Sequence, residues 1–292
     1  MKKHFLLGSL MALALTSLTG CYLHTATMRQ ETADNLASAN HFQEKNIEVN
    51  GTVVTIYENS YKPGQPARIF IAGEGPTGFW SYSDTPVNHT ALHIATRDTA
   101  TNRIFMGRPC QYNFAKLSTP SNGCKDDLSG DNRYSPEVIA AMSGALDVIK
   151  KRYGLTGFEL VGYQGGGVIA LALALDRNDV INVRTIDTPL DTYYVSSLMP
   201  ENENLSGSVN PVGFASRISQ VPQIHFFDDS KKTNMLEQEK TLPYTAMIDR
   251  YASAAGNTQC MSFHKVNLND DSIHYPDQWK ALLTLPLDCN NP

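Results

Sequence analysis

The chain has 292 residues, 41% apolar and 18% charged, with a formal net charge of −5 at pH 7. That length supports one large domain with its own core. The acidic balance gives no case for nucleic-acid binding.

Lys2 and Lys3 form a positive segment, and Phe5 to Leu15 is an apolar stretch too short to span a bilayer. Leu18-Thr19-Gly20-Cys21 follows. This order resembles the bacterial lipobox, in which the cysteine thiol is acylated and the chain is cut just before it. The resemblance implies a signal peptide over 1–20, a lipid anchor of palmitate type on Cys21 and an exported protein. Tyr22, rather than an aspartate, follows the cysteine. It points to the outer membrane, on its periplasmic or surface side. Cleavage would remove two lysines and no acid, so the formal charge moves from −5 to −7. No later stretch is long and apolar enough to cross a membrane.

Residues 22–44 are polar with little periodicity and read as a tether, which places a tether at 21–45 and a folded domain at 46–292. Ile47 to Val49 and Val53 to Tyr57 flank Asn50-Gly51, a strong hairpin signal. Then the pattern alternates. Arg68 to Ala72 reads as a strand, Ala91 to Thr96 as a short helix and Arg103 to Gly107 as a strand. Ser135 to Tyr153 is the clearest helix, with Ser135 as cap, Pro136 first and Gly154 as stop. Phe158 to Val161 is a buried strand and Val168 to Leu175 an apolar helix. Val183 to Ile186, Ile224 to Phe227 and Met261 to Val266 complete the strands. The alternation predicts an α/β fold, a mostly parallel central sheet with helices on both faces. Besides Cys21, four cysteines remain, an even count that in an exported chain suggests two disulfides. Local pairing joins Cys110 to Cys124 and Cys260 to Cys289.

Leu160-Val161-Gly162-Tyr163-Gln164-Gly165-Gly166-Gly167 lies between a buried strand and an apolar helix. α/β-hydrolases place the nucleophile elbow, G-x-S-x-G, in that setting. Gly162 and Gly166 occupy the glycine positions, and Gln164 stands where the serine would be. Two other motifs are weaker. Gly73-x-Gly75-x-x-Gly78 fits the dinucleotide fingerprint, but Pro76 and Phe79 to Tyr82 do not open a helix. His89 and His93 have the spacing of a zinc helix, but Thr90 replaces the expected glutamate and no third ligand is evident. They read as two histidines on one helix surface, and neither a cofactor nor a metal is expected.

Further blocks match in chain order: Gly73-Glu74-Gly75, Arg108 to Tyr112, Gly123-Cys124, Leu205 to Pro211, Asp228-Asp229 and His274. Together with the elbow they resemble a family of bacterial α/β-hydrolase lipoproteins and secreted relatives, over roughly Arg68 to Trp279. The resemblance implies an α/β-hydrolase fold. It makes Gln164 a degenerate nucleophile position, His274 the base and Asp229 the acid, with Asp228 second and Asp187 or Asp191 third. The backbone N–H groups of Gly165 and Glu74 become the oxyanion donors. A neutral amide cannot be deprotonated to attack a carbonyl, so the acyl-enzyme chemistry of serine is closed to Gln164. The expected function is therefore a lipid-anchored, non-catalytic hydrolase-fold protein that binds a small ester-like ligand or a protein partner in the old cleft. The alternative is an active esterase or lipase-like enzyme, working through a non-standard nucleophile or a water activated by His274 and Asp229.

Overall fold

The computed structural model describes residues 27–59, 61–75, 85–113, 128, 130–198, 205–228, 232–235, 238–241, 243–266, 283–285, 287 and 289. The chain enters through a helix, α1, at residues 27–39. This corrects the tether at 21–45. The inward face of α1 holds Gln30, Ala33 and Ala37, with Leu36 packed alongside, a set with little hydrophobic periodicity. Those alanines join Phe42, Tyr57 and Phe70 in one buried cluster, and Asp34 accepts a 2.6 Å hydrogen bond from the Tyr57 hydroxyl.

Strands β1 (Gln43–Val49) and β2 (Thr52–Asn59) pair antiparallel around Asn50-Gly51. Asn50 and Gly51 have φ of 50° and 79°, the two positive values that a tight primed turn requires. Next come β3 (Ala67–Ile71), α2 (Thr90–Arg97), β4 (Arg103–Met106), α3 (Pro136–Tyr153), β5 (Phe158–Tyr163), α4 (Gly165–Asp176) and β6 (Val180–Ile186). After β6 lie α5 (Thr192–Leu198), a 3-10 helix (Pro211–Ile218), β7 (Gln223–Phe227) and a separate hairpin of β8 (Lys232–Met235) and β9 (Gln238–Thr241). Helix α6 (Tyr244–Ala255) and β10 (Met261–Lys265) follow. Helix α3 has the predicted ends: the Ser135 hydroxyl accepts the Val138 N–H, and Gly154 is left-handed at φ 59°.

The main sheet has eight strands in the order β1-β2-β4-β3-β5-β6-β7-β10. From β4 to β10 all neighbours are parallel, and β1 and β2 form an antiparallel edge. The residues alternate across it as strand geometry demands. Ile69, Ile71, Ile104, Met106 and Leu160 face a layer holding α3, α4 and α6. Phe70, Phe105 and Val161 face the layer of α1 and α2. Both faces are covered, so the expected doubly layered α/β architecture is the one found.

Cys260 and Cys289 form the expected disulfide. Cys110 is disulfide-bonded, while Cys124, assigned as its partner, lies outside the described residues. The α5 helix, the 3-10 helix, the β8–β9 hairpin and α6 have no counterpart among the predicted elements. Among the described residues no helix is long and apolar enough to cross a membrane.

Candidate functional site

The turn between β5 and α4, at the sheet's carboxyl edge, is tightly constrained. Gln164 has φ 48° and ψ −123°, a conformation that side chains other than glycine rarely adopt. Three hydrogen bonds hold it there. Its N–H donates to the Ile186 carbonyl at 2.7 Å, and its carbonyl accepts from the Gly167 N–H at 2.9 Å and the Thr188 hydroxyl at 3.0 Å. The flanking glycines are sterically required. A Cβ on Gly162 would strike the backbone of Gly166 and Gly167, and one on Gly166 would strike the carbonyls of Ile71 and Ala72.

The Gln164 side chain reaches back over the loop after β3: its Oε1 lies 2.9 Å from where a Cβ on Gly73 would stand. The Glu74 side chain runs the other way. One carboxylate oxygen, Oε2, accepts the Gly165 N–H at 3.0 Å, and the other, Oε1, accepts the Tyr134 hydroxyl. A carboxylate at the N-terminus of α4 is favoured by the helix dipole as well as by the N–H it receives. Gly165 leaves room for this contact, since a Cβ there would collide with both Glu74 and Tyr134.

The blocks read separately in the sequence converge here. Gln111 donates from Nε2 to the Gly73 carbonyl at 3.0 Å and accepts the Arg108 N–H on Oε1 at 3.0 Å. The Arg108 guanidinium stands 5.9 Å from the Tyr134 ring centre. Ser208, from the Leu205 to Pro211 block, accepts the Tyr134 N–H at 3.2 Å and donates to the Asp131 carbonyl at 2.6 Å. Tyr134 is thus the hub of the cluster. The sequence reading missed it because its only local cue is its place one residue before the cap of α3. It missed the Glu74 carboxylate as well, having assigned that residue a backbone role.

The candidate acids have different surroundings. Asp187, buried and at φ 49° after β6, accepts the Asp228 N–H on Oδ1 at 3.0 Å. Asp228 is itself buried at the end of β7. Asp191 caps α5, accepting the Tyr194 N–H at 3.1 Å, and pairs with Arg250 at 3.2 Å. Asp229 and His274 lie outside the described residues.

A narrow cleft opens beside Gln164, lined by Gly73, Glu74, Pro86, His89, Tyr112 and Tyr163 among others. Its enclosed space is about that of one water molecule. His89 precedes α2 and is buried rather than lying on the helix surface with His93. Burial pushes its pKa down to about 4, the neighbouring His93 adds to this, and the Arg29 backbone stands beside the ring. Burial also lowers His93, helped by Arg97. Among the described residues no group of three or more His, Cys, Asp or Glu could hold a metal.

No family model and no curated protein matches the chain. Solved structures do. An esterase of Pyrococcus furiosus has a TM-score of 0.54 at 10% identity, covering 83% of this chain and 88% of its own. A bacterial membrane phospholipase A, described as a virulence factor, has a TM-score of 0.53 at 13% identity, covering 97% of this chain and 99% of its own. Est1E of Butyrivibrio proteoclasticus has a TM-score of 0.53 at 10% identity, covering 82% of this chain and 97% of its own. With the strand order above, these likenesses define the α/β-hydrolase fold. At such identities they speak for the fold alone.

Proposed function

We propose that this is a lipid-anchored α/β-hydrolase-fold protein without serine-hydrolase catalysis, which binds a ligand or partner at the former active-site edge. One observation carries the reading: the Gly165 N–H beside Gln164 already has an acceptor, the Glu74 carboxylate. In an acyl-transfer enzyme that N–H would stabilise the developing oxyanion, a role that requires it to face the substrate. Here a Glu74 carboxyl oxygen fills its place, next to a residue that cannot act as nucleophile. Substrate and oxyanion would have to displace a carboxylate held by two donors. The sequence order at Cys21 supports export and acylation, with the outer membrane as destination.

A fluorophosphonate probe tests the chemistry. The native protein is expected to remain unlabelled. Gln164→Ser restores a hydroxyl but leaves Glu74 in place, so it should label little. Adding Glu74→Ala should raise labelling at least tenfold, and His274→Ala in that background should remove it. Strong labelling of the native chain would defeat the reading. Equal labelling with and without Glu74 would show that the carboxylate does not block the site. The anchor is tested separately, since Cys21→Ser should move the protein from the membrane to the soluble fraction.

A further inference from the structure

Among the described residues, the exposed large apolar side chains are Met28, Val87, Ile181, Tyr193 and Leu198. Four of them belong to segments that meet the carboxyl edge of the sheet. Val87 lies between Pro86 and Asn88, which line the cleft. Met28 is the second residue of α1, beside Arg29, whose backbone stands against His89 of the same cleft. Tyr193 and Leu198 belong to α5, which begins just after Thr188, the residue bonded to the Gln164 carbonyl. Ile181 alone is elsewhere, on the second residue of β6 at the amino edge.

Charge stands beside α5 rather than on it: Asp191, just before the helix, pairs with Arg250 at 3.2 Å. Helix α5, Thr192–Leu198, contains no charged side chain, and its Tyr193 is 60% exposed. An uncharged helix showing tyrosine and leucine to solvent suits the headgroup level of a bilayer, where an aromatic ring can be half apolar and half wet. Among the described residues the amino edge carries the ion pairs of Arg68 with Asp98 and Glu159 and of Lys150 with Asp179.

The chain preceding α1 indicates what covers the apolar edge. Cys21 is six residues before Thr27 in the sequence, and six extended residues reach at most ~22 Å. An acyl anchor on Cys21 therefore holds the end of α1 that adjoins the cleft. We infer that the carboxyl edge rests on the bilayer, with Met28, Val87, Tyr193 and Leu198 at headgroup depth, so that the cleft beside Gln164 opens onto membrane lipid. This rests on the proposed anchoring of Cys21.

The test attaches an environment-sensitive fluorophore to Val87→Cys, Tyr193→Cys or Ile181→Cys in the full acylated chain. Each variant is reconstituted on phosphatidylethanolamine–phosphatidylglycerol vesicles, with or without lipid carrying a nitroxide near the headgroup. Labels at 87 and 193 should brighten at least twofold on vesicles and be quenched by the nitroxide, while the label at 181 should do neither. Equal responses at the three sites, or a response at 181 alone, would overturn the inference. A parallel preparation carries Cys21→Ser and an N-terminal hexahistidine on nickel-chelating lipid, so the chain is tethered at the same place without acylation. If the acylated form fails to float with vesicles, the anchoring reading falls, and the tethered form still decides which edge meets the lipid.

Discussion

The two edges of one sheet solve opposite problems. At the amino edge, charges meet charges, and His41 is the one described non-glycine residue there with positive φ. Arg68 of β3 pairs with Asp98 at 2.6 Å and with Glu159 of β5 at 2.7 Å, and Arg177 pairs with Asp147 and Asp179, both at 2.8 Å. At the carboxyl edge the backbone is strained: Cys110, Tyr112, Gln164 and Asp187 all have positive φ. There the Glu74 carboxylate is met by an N–H and a hydroxyl, and that of Asp187 by the Asp228 N–H. The amino edge gains its stability from paired charges. The carboxyl edge keeps strain that surrounding hydrogen bonds must hold in place, which is where a fold of this class puts its chemistry. In this chain the strained turn persists although its central residue is Gln164.

The largest effect should come from the tightest point of the carboxyl edge. Gly162→Ala forces a Cβ into the backbone of Gly166 and Gly167. Neither can yield without moving the turn, and a loss of about 3 kcal/mol is expected in urea unfolding. A loss under about 1 kcal/mol would mean that the turn is looser than its geometry.

At the amino edge, Asp98→Ala leaves the Arg68 guanidinium with Glu159 as its remaining ion-pair partner. Because Arg68 keeps one carboxylate, the expected cost is about 2 kcal/mol, below that of fully breaking a buried pair. Measured at low and high salt, the cost should change little, since Asp98 is buried.

Gln164→Gly should move stability the other way. Glycine adopts φ 48° and ψ −123° with less penalty, so a gain of about 1 kcal/mol is expected. A clear loss would show that the Gln164 amide contributes contacts worth more than the strain.

The smallest effect is a shift with pH. Burial lowers His225 to about 3, in a ring whose Nε2–H donates to Gln223 Oε1 at 3.2 Å and whose Nδ1 accepts the Thr185 hydroxyl at 2.8 Å. His89 is lowered to about 4. Both rings stay neutral in the fold where the unfolded chain, with a histidine pKa of about 6.5, takes up protons. Stability is therefore present above that value and declines as pH falls toward the folded pKa values. Between pH 7 and 6 the loss should be about 0.7 kcal/mol per buried histidine. His225→Asn should remove its share of the slope.

Some of this was legible in the sequence for simple reasons. The Asn50-Gly51 turn, the capped α3 helix and the alternation of strand and helix follow from local φ preferences and apolar period, and each lies where expected. The strand–turn–helix around Gln164 was legible too, because only glycines fit at 162 and 166. Helix α1 was not, since an inward face of Gln30, Ala33 and Ala37 leaves a weak amphipathic signal. Nor was the Glu74, Gly165 and Tyr134 cluster. Its members are separated by as many as 91 positions, and nothing in their own neighbourhoods marks them. Local sequence determines conformation through backbone sterics and periodicity. Which carboxylate meets which N–H is decided only when the loop after β3, the start of α4 and the residue before α3 are packed at one edge.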